Sequence, residues 1–327
     1  MVKVGVIGVG SMGQNHARIY KEIAELVGVY DQDQVQSKKV AKRFDVEVFD
    51  SIDSMLRLVD AVSVCTTTST HLDVAKRVID EGKGVLVEKP FTGESKKAEE
   101  LRRRAEKEGV TLAAGFVERH NPIVGAARGA IKEGKFGRVI SFASRRVSSF
   151  PSRVRDVGVI MDLGIHDVDV LRYITSDEVR SVYVLGGKSV NSGFEDHASL
   201  LIAMRNGLVA SLEVNWLTPM KVRKVSLTCT GGFVQLDYID QSLEISSSST
   251  GDFDPADMFR IHLEHETRRI SVRKEEPLRL ELEDFLKAAT TGGEPLATAN
   301  DAVAALRVCE AAQESLLTGN RIDIGQG

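Results

Sequence analysis

Three short stretches of this 327-residue chain carry residue types whose spacing suits chemistry. Gly8-Val9-Gly10-Ser11-Met12-Gly13 follows an apolar run, Val2–Ile7, and opens a helical pattern that reaches Leu26. Between a strand and a helix, the first glycine makes a tight turn. The second lets backbone N–H groups approach a pyrophosphate, and the third lets helix and strand pack closely. The helix N-terminus adds partial positive charge. The bland alternative is a plain glycine-rich turn. Asp31 ends the next apolar run, Val27–Tyr30, about twenty residues on, where a carboxylate accepts bonds from ribose hydroxyls. Gln32 and Asp33 follow, with no arginine or lysine to hold a 2′-phosphate, so NAD is favoured over NADP. The alternative role for Asp31 is to cap the next helix.

The second stretch is Glu88-Lys89-Pro90, directly after the apolar run Val85-Leu86-Val87. Ligands of open α/β sheets lie outside the carboxyl ends of the strands, which puts Lys89 beside a bound nicotinamide. A lysine there donates to a substrate hydroxyl and stabilises developing negative charge. The third stretch is Asp162 and His166, four apart in the helical pattern Val157–Thr175 and so on one helix face. Their ordinary pKa values suit distinct roles near neutral pH. Alone, such a pair is more often surface decoration; Lys89 and the glycine loop tip the balance towards function.

These residues need particular elements to position them. The first part of the chain alternates strand and helix: strands at Val46–Phe49, Ala61–Cys65, Val85–Val87 and Thr111–Gly115, helices at Gln34–Phe44, His71–Glu81 and Glu94–Glu108. That order predicts an α/β domain over residues 1–120, a parallel sheet of the Rossmann type. Residues 121–327 predict a substrate-binding and oligomerisation domain of α+β class with a large, mostly antiparallel sheet, its last helices free to pack back on the first domain. Alternating strands such as Ala198–Met204 and Leu208–Trp216 are broken by turn pairs such as Asn206-Gly207. The polar run Ser246–Gly251 is expected to be a mobile loop. Leu212, Val214 and Trp216 are expected on a broad sheet face that meets another subunit of a homo-oligomer, unless the chain's own helices cover it.

Composition bounds the function. Hydrophobic residues make up 42% and charged residues 28%, the balance of a globular protein. A net charge of −4 gives no nucleic-acid footprint, and Arg102-Arg103-Arg104 reads as a solvated, charge-laced helix face. Cys65, Cys229 and Cys309 form no CxxC pair, and His262 and His265 lack a third ligand, so no metal site is expected. No leader pattern and no apolar run of membrane-spanning length is present, and the expected location is the cytoplasm, with no membrane partner.

The glycine loop, Thr66 through His71, Gly82 through Pro90 and Asp162-Leu163-Gly164-Ile165-His166-Asp167-Val168-Asp169 together resemble the glucose–fructose oxidoreductase/inositol dehydrogenase (Gfo/Idh/MocA) family across the whole chain. One departure is Thr67, where family members often carry proline. The resemblance implies an NAD-dependent oxidoreductase acting on CH–OH. It implies cofactor contacts at Gly8, Gly10, Ser11, Met12, Gly13 and Asp31, and on the nicotinamide side at Thr66, Thr67, His71, Glu88 and Lys89. It also implies His166 as acid/base on the substrate hydroxyl, Asp162 as the residue that orients the sugar or the base, and Lys89 as the third member. Whether His166 or Lys89 takes the proton stays open.

Arginines suit phosphate because their planar fork binds oxygen pairs. Arg119 and Asn121 follow the last strand of the first domain, and Arg145, Arg146, Arg153 and Arg155 precede the Asp162 helix. They suggest a phosphorylated or nucleotide-linked sugar contacted by Arg119, Asn121, Arg146, Arg153 and Arg155; a solvated strand edge is the equal alternative. Within the family these stretches are similar to dehydrogenases of the 3-hydroxyl of UDP-N-acetylglucosamine or a related UDP-amino sugar. An inositol or simple-sugar dehydrogenase, an NAD-dependent glycosidase and a non-catalytic NAD-dependent sensor remain as alternatives.

Overall fold

Lys3–Ile7 forms β1, and Val4, Val6 and Ile7 have no exposed surface. A strand buried on both faces belongs in the middle of a sheet with helices on either side. The computed structural model describes residues 1–151, 156–190, 193–250 and 263–325. By internal contacts these fall into two units, chiefly residues 1–120 with 276–310, and residues 121–151 with 158–275 and 311–325.

In the first unit β1 is followed by α1 (Ser11–Ile23), β2 (Glu25–Tyr30), α2 (Gln34–Phe44), β3 (Glu47–Val48), α3 (Ile52–Leu56), β4 (Ala61–Val64), α4 (Thr68–Asp80), β5 (Gly84–Glu88), α5 (Ser95–Glu108) and β6 (Leu112–Gly115). The six strands run parallel in the order β3-β2-β1-β4-β5-β6. The order reverses between β1 and β4, so a crevice opens at their carboxyl ends, where an α/β sheet takes its ligand. The arginine run lies on the outer side of α5, where Arg102 and Arg103 pair with Glu99 and Arg104 with Asp80.

A helix from late in the chain completes this unit. Leu278, Leu282, Phe285 and Leu286 of α8 (Pro277–Thr291) join the core that holds Val4, Leu86 and Ala113. Gly84 leaves room for it: a Cβ there would sit 3.0 Å from the Cβ of Ala289. The segment after α8 is clipped to β6, with Ala114 N–H donating to Ala297 O at 3.0 Å. Arg119 locks the clip, reaching Asp301 with two nitrogens at 2.8 Å and Leu296 O at 3.0 Å. Residues 276–310 thus count with the first unit, including the start of α9 (Ala299–Thr318), although they follow the second in sequence.

The second unit contains α6 (Pro122–Lys132), β7 (Val139–Ser149), a π turn (Ile160–Gly164), α7 (Ile165–Thr175) and the strands β8 (Val179–Gly187), β9 (His197–Met204), β10 (Val209–Asn215), β11 (Leu217–Cys229), β12 (Gly232–Asp237), β13 (Ser242–Thr250), β14 (Leu263–Ile270) and β15 (Ile322–Asp323). They form one sheet in the order β14-β13-β12-β11-β7-β10-β9-β8-β15, antiparallel except where β7 meets β10. Two expectations change here. Ser246–Thr250 is not a loop: it is strand, paired to β14, with Ser246 Oγ 3.0 Å from Thr267 Oγ1. A hydroxyl run satisfies a ladder as well as a loop, and only the partner strand decides. Leu212, Val214 and Trp216 lie on the covered face of the sheet, at most 2% exposed, so they meet no other subunit. The open face carries Leu201 and Val209 instead.

Burial pushes the Asp301 carboxyl up, but Arg119 and Thr298 outweigh it and hold it below the usual carboxylate range. The stabilisation is therefore complete above the ordinary aspartate pKa of about 3.9 and is lost as pH falls through the lower folded value. Arg119→Ala is expected to cost about 2–4 kcal/mol in urea unfolding at pH 7. That penalty shrinks below about pH 4; one that stays constant with pH would contradict the ion-pair account.

Candidate active site

Gly8 has a φ of +87°, and a Cβ there would sit 2.7 Å from the backbone of Cys65 and Thr66. A Cβ on Gly13 would lie 1.8 Å from Gly8 O, so α1 starts in direct contact with the turn. Gly10 differs: nothing lies within 4 Å of its absent Cβ. It is also the N-cap of α1, and no side chain caps the helix or places an acid in its first turn. The leading N–H groups of Ser11, Met12 and Gly13 therefore need a partner, and an anion suits them. An open cradle under an uncapped helix end fits the pyrophosphate of a dinucleotide.

Asp31 has a second task. Its Oδ2 accepts from Val9 N–H at 2.7 Å and its Oδ1 from Asp33 N–H at 2.9 Å. Gln36 Nε2 donates to Val9 O at 3.0 Å, so both polar groups of the Val9 backbone are tied down. Asp31 is not the cap of α2, because Asp33 does that through Val35 and Gln36 N–H. Each carboxylate oxygen still has capacity for a further donor such as a ribose hydroxyl.

Of the residues expected on the nicotinamide side, His71 and Glu88 are buried, Thr66 and Lys89 half-buried and Thr67 exposed. Thr66 Oγ1 accepts from Thr70, and Thr67 precedes α4 with a φ of −75°, within the range of proline, so the departure from the family pattern costs no geometry. His71 is 1% exposed; its Nδ1 faces Pro90 O at 2.9 Å and its Nε2 faces Thr66 O at 3.1 Å. Burial pushes its pKa down, against the pull of those two carbonyls. Glu88 takes His16 Nε2 on Oε1 at 2.9 Å and the N–H of Lys89 on Oε2 at 3.1 Å. Burial raises the Glu88 carboxyl, but His16 and Lys89 outweigh it and hold it below the usual range. The Lys89-Pro90 peptide is cis. Both His71 and Glu88, expected at the cofactor, spend their polar atoms on the protein.

In the second unit Asp162 is 3% and His166 8% exposed. A uniform α-helix was expected there, yet Ile160–Gly164 is a π turn, with Ile165 N–H reaching Ile160 O. Four residues exceed one α turn and fall short of one π turn, so the pair stays within a turn of each other. Glu195, which the sequence left unmarked, anchors this element. Its backbone oxygen accepts from Val159 N–H at 3.0 Å, and its Oε1 from Ile160 N–H at 3.2 Å. Burial pushes its carboxyl up. A Cβ on Gly158 would strike that carboxyl at 2.1 Å.

Three of the residues expected at a phosphate have partners within the protein. Arg146 is 1% exposed, bonded to Asp167 at 3.0 Å and set over the Tyr238 ring at 5.2 Å. Arg119 is committed to Asp301, and Asn121 caps α6 and donates to Tyr238 O at 3.3 Å. A guanidinium left unpaired in an interior is costly, so each found a carboxylate of its own chain. Arg153 and Arg155 lie outside the described residues. Among the described residues no cluster of His, Cys, Asp and Glu could hold a metal, and no helix is long and apolar enough to cross a membrane.

The two glycines separate cofactor binding from folding. Gly10→Ala is expected to shift the melting temperature by no more than about 2 °C yet weaken NAD binding on the order of tenfold or more. Gly13→Ala is expected to cost about 2–4 kcal/mol of stability. Thermal melts with NAD titrations check both; unaltered NAD affinity in Gly10→Ala would contradict the cradle.

Residues 2–116 match the oxidoreductase family model with an NAD-binding Rossmann fold, and residues 124–235 match the GFO/IDH/MocA C-terminal domain. The chain is 32% identical to UDP-N-acetylglucosamine 3-dehydrogenase of Acidithiobacillus ferrooxidans, covering 88% of each. A solved structure of that enzyme superposes with a TM-score of 0.86 over 96% of this chain and 97% of the other. Inositol 2-dehydrogenase of Rhizobium meliloti is 28% identical over 99% of both chains. GenD2 from gentamicin A biosynthesis, solved with NAD, is 25% identical, with a TM-score of 0.84 over 99% of this chain and 97% of that one. The chain belongs to the Gfo/Idh/MocA family of oxidoreductases and carries that family's NAD-binding Rossmann domain.

Proposed function

We propose that this oxidoreductase oxidises a secondary hydroxyl of a sugar, and that the sugar is a UDP-linked N-acetyl amino sugar reacting at its 3-hydroxyl. The observation that carries the reading is a lysine turn at the carboxyl end of β5 in a chain so close to a UDP-N-acetylglucosamine 3-dehydrogenase. Bound NAD supplies the hydride acceptor. The remaining work falls to side chains. The Lys89 ammonium, which has donors and no acceptor, holds the substrate oxygen and stabilises negative charge as the hydroxyl proton leaves. His166 accepts that proton on a ring nitrogen, and Asp162 orients the imidazole or a neighbouring sugar hydroxyl. The carbon–hydrogen bond gives its electron pair to NAD and a carbonyl forms.

One observation favours a second reading, oxidation of an inositol. Arg119 and Arg146 are engaged within the protein, which removes two of the arginines that pointed to phosphate. A substrate panel decides. NADH formation with UDP-N-acetylglucosamine and none with myo-inositol or glucose is expected; the reverse pattern supports the inositol reading. Failure with every alcohol, with NAD still bound, would sink the dehydrogenase. Lys89→Ala and His166→Ala should each lower kcat by about 100-fold or more while NAD affinity holds within about threefold. Near-normal turnover in both would remove these roles.

A further inference from the structure

The turn that presents Lys89 is held at two points by buried histidines, neither of which the proposed chemistry uses. On one side the N–H of Lys89 donates to Glu88 Oε2, and Glu88 Oε1 is 2.9 Å from His16 Nε2. His16 sits on α1, the helix whose N-terminus forms the phosphate cradle, and has no exposed surface. On the other side Pro90 O faces His71 Nδ1 at 2.9 Å, and His71 Nε2 faces Thr66 O at 3.1 Å. His71 belongs to α4, directly after the Thr66-Thr67 loop. Lys89 is thus linked through Glu88 and one imidazole to the pyrophosphate end of the cofactor site, while a second imidazole, which donates from one ring nitrogen when neutral, sits between Pro90 O and the nicotinamide loop.

Burying imidazoles and a carboxylate costs free energy unless each is bonded. Apolar side chains would fill the same volume without that cost, as Val64, Val87 and Phe91 do nearby. They would not orient a backbone. A hydrogen bond at each end of a two-residue turn sets the direction of the Lys89 Cα–Cβ bond, and misplacement by about 1 Å costs up to about 100-fold in rate. We propose that His71, and His16 acting through Glu88, are positioning residues that aim Lys89 and couple its aim to the segments that grip the cofactor. This rests on the reading of Lys89 as catalytic.

A double-mutant cycle tests it, because a residue that acts only through Lys89 has nothing to lose once Lys89 is gone. His71→Ala, His71→Gln and His16→Gln are made in the full-length protein, alone and with Lys89→Ala. For each, kcat, the dissociation constant of NAD and the melting temperature are measured, residual turnover by long single-turnover runs. His71→Ala is expected to lower kcat by about 10- to 100-fold with NAD affinity within about threefold. His71→Gln keeps one N–H donor and is expected to recover part of the loss. In the Lys89→Ala background none of the three changes turnover by more than about twofold. Equal losses in both backgrounds would overturn the proposal, as would wild-type kcat in both His71 variants. If His71→Ala does not fold, His71→Gln and His16→Gln carry the same comparison. Wild-type kcat in Lys89→Ala alone would overturn the reading of Lys89, whereas an inactive Lys89→Ala with additive losses overturns only the positioning.

Discussion

The start of α1 rests on the carbonyl of Gly8, so closely that Gly13 has no room for a side chain. Much of the first unit follows from that contact. It brings the helix N-terminus to the carboxyl end of β1, leaving the N–H groups of its first turn to face the crevice. It also sets the register of the helix, and so carries His16 inward to Glu88. The same turn exposes the Val9 backbone, which Asp31 and Gln36 then tie down. One steric limit therefore shapes the start of α1, the bonds of Asp31 to the glycine loop and one support of the lysine turn.

Buried charge is the second theme. Arg119 with Asp301, Arg146 with Asp167 and Glu195 over the π turn are all interior ionisable groups with bonded partners. Each joins segments distant in sequence that apolar packing would hold less specifically. Arg119 clips the chain before α9 to the end of the parallel sheet. Arg146 fixes Asp167, next to His166, from a strand of the large sheet. Glu195 holds the first residues of the element that bears Asp162.

The parallel sheet was legible because most of its strands are short apolar runs separated by helical patterns of several turns, and period distinguishes the two; α3, with five residues, is too short to show a period. The glycine loop was legible because Gly8 and Gly13 answer local demands of the backbone, while Gly10 keeps the loop open. The Ser246 run was misread because hydroxyl residues serve loops and edge strands alike, and the choice is made by Thr267 and its neighbours across the ladder. The face of β10 was misassigned because alternation separates two sides without saying which one the chain's own helices cover.

The residues around the lysine turn mark the division most clearly. Local sequence determined the strand, the turn and the type of each polar side chain: a lysine after β5, a helix-borne Asp/His pair, an acid after β2. Tertiary structure decided which of those side chains take partners from distant parts of the chain. Arg146 finds Asp167 and Glu88 finds His16, partners 21 and 72 residues away in sequence. Hydrogen bonding and ion pairing act over about 3 Å of space and take no account of separation in sequence. Only folding brings those partners into range.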